Sequence, residues 1–573
     1  MRGYGGRGLL RDLSAGLVVA ALAVPQGVAY ALIAGLPPAM GLYAAGLPAV
    51  AAGLVRSSRY VVAGPSNALS LLVGGSVAAL AVSEGTDPVS IAIALALWVG
   101  LVQLAAGVLR LGVAVGYISA SVVLGYIAGA ATLIVWGQLP NLAGNLEMAV
   151  GLGSALGMVL LGRIGRFFPA ALVSIGSVTA IAWFAELPLA TVADLAKVPA
   201  ELPRLTIPFE MPIATHLALL PAAIAASVLS LVESTAVGRK LASASGERVD
   251  TNREIIGQGA ANIAASFVGG YPVSGSLGRS VLNHSAGAQT RFAGIASGIF
   301  VLLAVVVGAP LVDAIPIASL AGMLLVLAWG LIDFRSIQRA LRGSLGDSAA
   351  LVVTFVGTWT LRLDHAIYLG VGVSIVLFLR RAQMLVVREL QVGTDGRLWE
   401  AKGRSCRVVR VLHAEGPLFF AAASELQNAL DAALADEKLQ VLLLRLKRTQ
   451  GLDLSAAQVL EETAVRLAAR GGRLLLVGLL PDPMALLART GIAAVIGEEN
   501  IFPTQAGWFV AMDQALAVAM AHDDHEGGCP LLAYLATRDG RPIPDGEVHR
   551  DDADAAQAEE EHKGSRADPA RER

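Results

Sequence analysis

A chain of 573 residues that is 55% hydrophobic and only 15% charged is not an ordinary soluble protein, and its length allows two or more domains. Its formal net charge of -2 sums a near-neutral apolar part and a mixed-charge polar part, so charge points to no partner and no nucleic-acid role is expected.

From about Leu9 to Arg381 the sequence is a succession of apolar runs, and a helix needs roughly 20 such residues to cross a bilayer. The first run follows Arg2, Arg7 and Arg11, is broken at Pro25 and lacks a small-residue cleavage site. It reads as a membrane helix rather than a signal peptide. The pattern predicts fourteen transmembrane segments, clearest near 13–35, 89–109, 216–238, 291–311 and 365–380. Predicted cytoplasmic connections hold most of the basic residues, among them Arg56, Arg163, Arg239 and Arg335, whereas the outer ones hold only Lys197, Arg204 and Arg362. That asymmetry puts the N-terminus inside.

The segments near 60–82 and 271–287 are interrupted by Gly, Pro and polar residues, and each is third in its set of seven. Matching interruptions in two halves point to an inverted repeat, about 9–188 and 213–381, with a binding site at the repeat interface. The transporter domain is placed at 1–388. From about 400 to 521 short apolar strands alternate with amphipathic helices: strands at Cys406–Leu412, Leu439–Leu446 and Arg473–Gly478, helices at Ala421–Leu434, Ser455–Arg470, Pro483–Arg489 and Gln505–Met520. This is a small α/β domain. Residues 523–573 are too poor in large apolar side chains to bury a core and are expected to be disordered. Cys406 and Cys529, the only cysteines, suggest neither a disulfide framework nor a metal cluster, and no cofactor is expected.

The most informative stretch is Val62-Ala63-Gly64-Pro65-Ser66-Asn67-Ala68-Leu69-Ser70. Gly-Pro followed by small and polar residues inside a membrane segment is expensive unless it lines protein or water. A half-helix starting near Pro65 would offer its N–H groups and positive dipole end to an anion; a tight helix crossing is the alternative. Its counterpart is Tyr271-Pro272-Val273-Ser274-Gly275-Ser276-Leu277-Gly278-Arg279-Ser280. There small residues let a ligand approach the backbone, hydroxyls can donate, and Arg279 brings a permanent charge that either meets a ligand or pairs with a carboxylate. Glu233 is the carboxylate most clearly set in an apolar span, where its protonation would couple proton to anion movement unless it forms a permanent ion pair with Arg279. Gln26 and Tyr30, one turn apart after Pro25, share a helix face. Asn283 and His284 read as interfacial.

These residues carry a resemblance. Val24 to Tyr30 followed by Ala34-Gly35-Leu36-Pro37-Pro38 and Gly41-Leu42-Tyr43, the Gly64-Pro65 opening, Glu233-Ser234, and Pro272 to Gly294 together resemble the sulfate permease (SulP) family, which includes the animal multifunctional anion exchangers and prestin. The resemblance implies two inverted seven-segment repeats, as in uracil permease, forming a core and a gate domain. It also implies a C-terminal STAS domain, matched by Glu415-Gly416-Pro417-Leu418-Phe419-Phe420 and Gly451-Leu452-Asp453-Leu454-Ser455. By the family pattern the substrate is surrounded by Gln26, Tyr30, Gly64, Pro65, Ser66, Asn67, Glu233 and the turn Ser274, Gly275, Ser276, Leu277, Gly278, Arg279. Many relatives have a serine immediately before the arginine, where this chain has Gly278, and Asp453-Leu454-Ser455-Ala456 departs from the usual loop, so phosphorylation at Ser455 is not asserted.

The expected function is secondary active transport of a small inorganic or organic anion, sulfate first, with a proton as coupling ion and alternating access. Bicarbonate, C4-dicarboxylate and chloride stay open. A membrane receptor with STAS output needs no pair of broken helices, and an enzyme should show a nucleophile–base pair or metal cluster in its spans, which the sequence lacks. The expected setting is a bacterial inner membrane, with a homodimer in the lipid bilayer and the STAS domain cytoplasmic.

Overall fold

In hydrocarbon every backbone donor and acceptor must be paired within the chain, so apolar runs of this kind form helices. The computed structural model, which describes residues 5–112, 119–165, 168–382, 385–392, 398–400, 407–505 and 510–520, divides into a unit ending at Leu377 and a second beginning at Phe378.

In the first unit, helices Gly6–Ile33, Pro38–Val55, Asn67–Glu84, Pro88–Val108, Ala120–Gln138, Asn145–Leu161 and Ala170–Phe184 come from the first half. Leu220–Ser245, Thr251–Phe267, Leu277–Ser285, Phe292–Asp313, Ile317–Leu331 and Leu345–Thr360 follow in the second, and helix Leu363–Ala382 runs across the boundary at Leu377. Eight helical stretches among the described residues are long and apolar enough to cross a membrane unaided, fewer than the fourteen expected. Asn145–Leu161 and Ala170–Phe184 are apolar but shorter, and Leu277–Ser285 is a half-helix of 9 residues.

Helix starts follow local chemistry: the Asp87 side chain accepts from Ser90 N ahead of Pro88, and Asp250 accepts from the N–H groups of Asn252 and Arg253. The helices form two packing groups. One holds Gly6–Ile33, Pro38–Val55, Pro88–Val108, Thr251–Phe267 and Phe292–Asp313; the other holds Ala120–Gln138, Asn145–Leu161, Ala170–Phe184, Ile317–Leu331 and Leu345–Thr360. Small residues allow the close approach: a Cβ on Gly41 would run into the Gly27 carbonyl.

The second unit is built on a six-stranded sheet in the order β4-β3-β5-β6-β7-β8. Its strands are β3 (Val386–Val392), β4 (Leu398–Glu400), β5 (Val409–Pro417), β6 (Val441–Gln450), β7 (Arg473–Leu479) and β8 (Ile501–Pro503). β5 to β8 are parallel and β3 is antiparallel to both neighbours. The two-residue period of a strand sends Leu442 and Leu444 to the side of helices Ala423–Leu434 and Leu454–Ala468, and Val441 and Leu443 to the side of Val510–Met520. The sheet opens at Val386, upstream of the position near 400 where the sequence pattern changes. The first expected strand, Cys406–Leu412, is found displaced toward the C-terminus, because β5 runs on through His413 to Pro417 beside β6. Both cysteines and the expected disordered tail lie outside the described residues.

Candidate functional site

Both broken segments take the same local form. β1 (Ala63–Gly64) precedes helix Asn67–Glu84, and β2 (Ser274–Gly275) precedes helix Leu277–Ser285. The two strands pair antiparallel, Ala63 with Gly275 and Gly64 with Ser274, and Ser276 N donates to the Val62 carbonyl at 3.1 Å. This two-residue sheet brings the starts of two helices from opposite halves side by side. Ser66 and Ser276 stand at the two N-cap positions in extended conformation, yet neither side chain caps its helix. The first N–H groups and the positive ends of both helix dipoles are therefore left without a side-chain acceptor.

The Ser66 hydroxyl is engaged elsewhere. It donates to Glu233 Oε2 at 2.8 Å, and Ser274 Oγ donates to the same oxygen at 2.5 Å. Glu233 lies on helix Leu220–Ser245, which packs against β2 and against helices Asn67–Glu84 and Leu277–Ser285. Arg279 is 1% exposed, and its Nη2 donates to the Pro65 carbonyl at 2.6 Å while its buried Nε has no acceptor. The permanent Glu233–Arg279 ion pair is not what forms: serines hold the carboxylate and a backbone carbonyl holds the guanidinium. Gly64 takes φ +154, and a Cβ there would overlap the Arg279 guanidinium, so glycine is what lets the charge lie against the backbone.

Helix Gly6–Ile33 packs against Asn67–Glu84 and Leu277–Ser285 and carries Gln26 and Tyr30, both buried. Neither side chain has a hydrogen bond among the described residues, and Gln26 Oε1 is a buried acceptor without a donor. Asn67 is buried, whereas Leu277 and Gly278 are exposed. Beside Gly278 a Cβ would meet nothing within 4 Å, while beside Gly275 it would meet Ser234 Oγ at 2.6 Å. The missing side chain at Gly275 thus makes room for helix Leu220–Ser245 on the side where a Cβ would stand.

A second polar cluster lies behind β2, and sequence reasoning missed it. Arg56, counted there as a loop charge, is fully buried and donates from Nη2 to Gln258 Oε1 and, at 3.4 Å, to Ser234 Oγ. Glu254 Oε1 accepts from Ser57 N at 2.9 Å and Ser58 N at 2.7 Å. Asn283, read as interfacial, is fully buried and donates to the Tyr60 carbonyl at 3.1 Å. The only signal was polar residues at a four-residue interval, Glu254, Gln258 and Asn262, on one face of an otherwise small-residue helix. Among the described residues no group of three or more His, Cys, Asp or Glu side chains could hold a metal ion.

Two packed groups of membrane helices, two helices that start from paired strands and a C-terminal α/β unit define a multi-pass membrane protein with an attached STAS domain. The chain belongs to the sulfate permease family, which matches residues 9–154 and 153–354, and the STAS domain matches residues 404–507. It is 29% identical to the putative sulfate transporter YvdB of Bacillus subtilis, over 87% of this chain and 97% of that one. It is 26% identical to sulfate transporter 3.2 of Arabidopsis thaliana, over 90% and 88% of the two chains. Among solved structures, SLC26A9 superposes with a TM-score of 0.81 at 20% identity, covering 90% of this chain and 91% of that one. The transmembrane domain of the cyanobacterial bicarbonate transporter BicA gives 0.56 at 21% identity, covering 65% and 98%. These likenesses show the fold.

Proposed function

We propose that the chain is a secondary active transporter of small anions, with sulfate as the first candidate, working as a proton symporter by alternating access in a bacterial inner membrane. The observation that carries the reading is the pair of uncapped half-helix N-termini held together by β1 and β2, with the Arg279 charge beside them. Each N-terminus offers about half an elementary charge, so two of them with one guanidinium attract an anion without trapping it. Gly64, Pro65, Ser66, Asn67 and Ser274 to Arg279 form the binding turns, with Gln26 and Tyr30 on the facing helix. Sulfate comes first because the relatives at 29% and 26% identity are named as sulfate transporters. The N-terminus and the STAS domain are proposed to be cytoplasmic, and the working form a homodimer, which cross-linking in intact membranes would reveal.

Glu233 supplies the coupling in this reading. As a carboxylate it occupies the hydroxyls of Ser66 and Ser274, the same donors that a bound anion would use. As a carboxylic acid it no longer repels that anion, so proton and substrate enter together. Uptake of labelled sulfate, bicarbonate, succinate and chloride into proteoliposomes, with and without an inward proton gradient, tests this. Sulfate accumulation driven by the gradient is expected, and Glu233→Gln should abolish the drive while leaving binding. Accumulation at the wild-type rate by Glu233→Gln would remove the coupling role.

A further inference from the structure

We propose that Gln258 is a positioning residue that holds Ser274 against Glu233 and so sets anion affinity; the effect on affinity rests on the transport reading above. Gln258 is fully buried on helix Thr251–Phe267 and touches three separate parts of the chain. Its Oε1 accepts from Arg56 Nη2 and from Ser234 Oγ, the latter at 3.3 Å, while Nε2 donates to the Val273 carbonyl at 2.7 Å. Ser234 directly follows Glu233 and Val273 directly precedes Ser274. One amide therefore bears on both ends of the 2.5 Å bond from Ser274 to Glu233.

The amide can sit only one way round, since a guanidinium only donates and a carbonyl only accepts. The Val273 peptide is held further by side chains: Asn262 Oδ1 accepts its N–H at 2.7 Å, and Ser230 Oγ and Asn262 Nδ2 donate to its carbonyl at 2.9 and 3.1 Å. Arg56 orients the amide from behind and is itself placed by its own backbone, whose carbonyl accepts from Arg291 Nη1 at 2.5 Å.

Gln258→Glu separates the two sides of this joint. It keeps an acceptor for Arg56 but turns a carboxylate oxygen toward the Val273 carbonyl, which pushes β2 out of register with β1 and carries the Ser274 hydroxyl away from both Glu233 and the anion position beside it. Arg56→Lys keeps the charge but loses the planar fork that reaches Gln258. Full-length wild type and both variants would be purified, checked by thermal unfolding, and compared for sulfate uptake kinetics in proteoliposomes. The infrared band of the Glu233 carboxyl, identified by subtraction of Glu233→Gln, is the second readout. Folded Gln258→Glu is expected to raise KM about 3- to 10-fold, the weight of one hydrogen bond, with the saturating rate within about twofold and the Glu233 band displaced. Arg56→Lys should move both readouts the same way by less. A residue with only a structural role would lower the unfolding temperature and move neither. Unchanged KM and an unchanged band in folded Gln258→Glu overturn the proposal; if that variant does not fold, the same two readouts in Arg56→Lys decide. If the wild type carries no anion, the transport reading fails separately, and the band alone decides on Gln258.

Discussion

Three glycines in and beside the paired turns have different surroundings, and a small side chain added at each should have a different effect. At Gly64 a methyl group meets the Arg279 guanidinium at a backbone φ of +154, so Gly64→Ala should displace the charge and weaken anion binding. At Gly275 it meets Ser234, so Gly275→Ala should cost about 1–3 kcal/mol of fold stability through overpacking. Gly278 has open space, so Gly278→Ser should fold normally and add a hydroxyl worth about 0.5–1.5 kcal/mol of anion affinity. Titration calorimetry with thermal unfolding on the three purified variants separates these outcomes; equal behaviour of all three would contradict the geometry. At this scale the sequence was legible where a polar residue interrupts an apolar run, as at Glu233, Arg279 and the serines. It could not join Arg56 to Ser234 and Gln258, which lie 178 and 202 residues from it in the chain, because only folding brings such positions together.

At the scale of elements, helix Val510–Met520 packs on one face of the second unit's sheet, over β6, β7 and β8, and shares a buried cluster, Met512, Ala515, Leu516 and Ala519 with Val411, Leu443 and Leu475. Leu516→Ala should destabilise that unit by about 2–5 kcal/mol, and deletion from Met512 onward should leave the face bare and the protein prone to aggregate. Purification yield and hydrogen exchange of β6 would report both. The alternation of strands and helices made this fold readable, whereas β3 and β4 were hidden because their charged residues, such as Arg388 and Glu389, resemble a linker. β5 carries a titratable group that adds a pH response. Burial, and after it the Arg445 charge, hold the His413 imidazole below its ordinary range, while the Arg445 carbonyl and Glu415 pull less strongly the other way. The native state then binds the proton less readily than the unfolded chain. Its contribution is intact above the unfolded value of about 6.5 and is lost as pH falls below it. Protection of β5 and β6 in the full-length protein should decline with acidification through that range, and His413→Gln should flatten the decline.

Across the whole molecule, hydropathy located the membrane half, and the two matched interruptions located the paired turns of β1 and β2, since small and polar residues stand out against hydrocarbon. Helix number was harder to read: a helix such as Ala170–Phe184, of 15 residues, is apolar yet too short to register as a full crossing. The two-residue sheet also fixes an order of events during synthesis. Arg279 lies 214 residues after Pro65, so at about 5–20 residues per second the ribosome needs about 10–40 s to supply the second strand after the first. For that interval the opening turn of helix Asn67–Glu84 has neither its strand partner, nor Glu233, nor Arg279 until each is made. The polar backbone of that turn is then an unpaired end inside a half-built protein, and whatever shelters nascent chains at the membrane must cover it until Ser274 arrives.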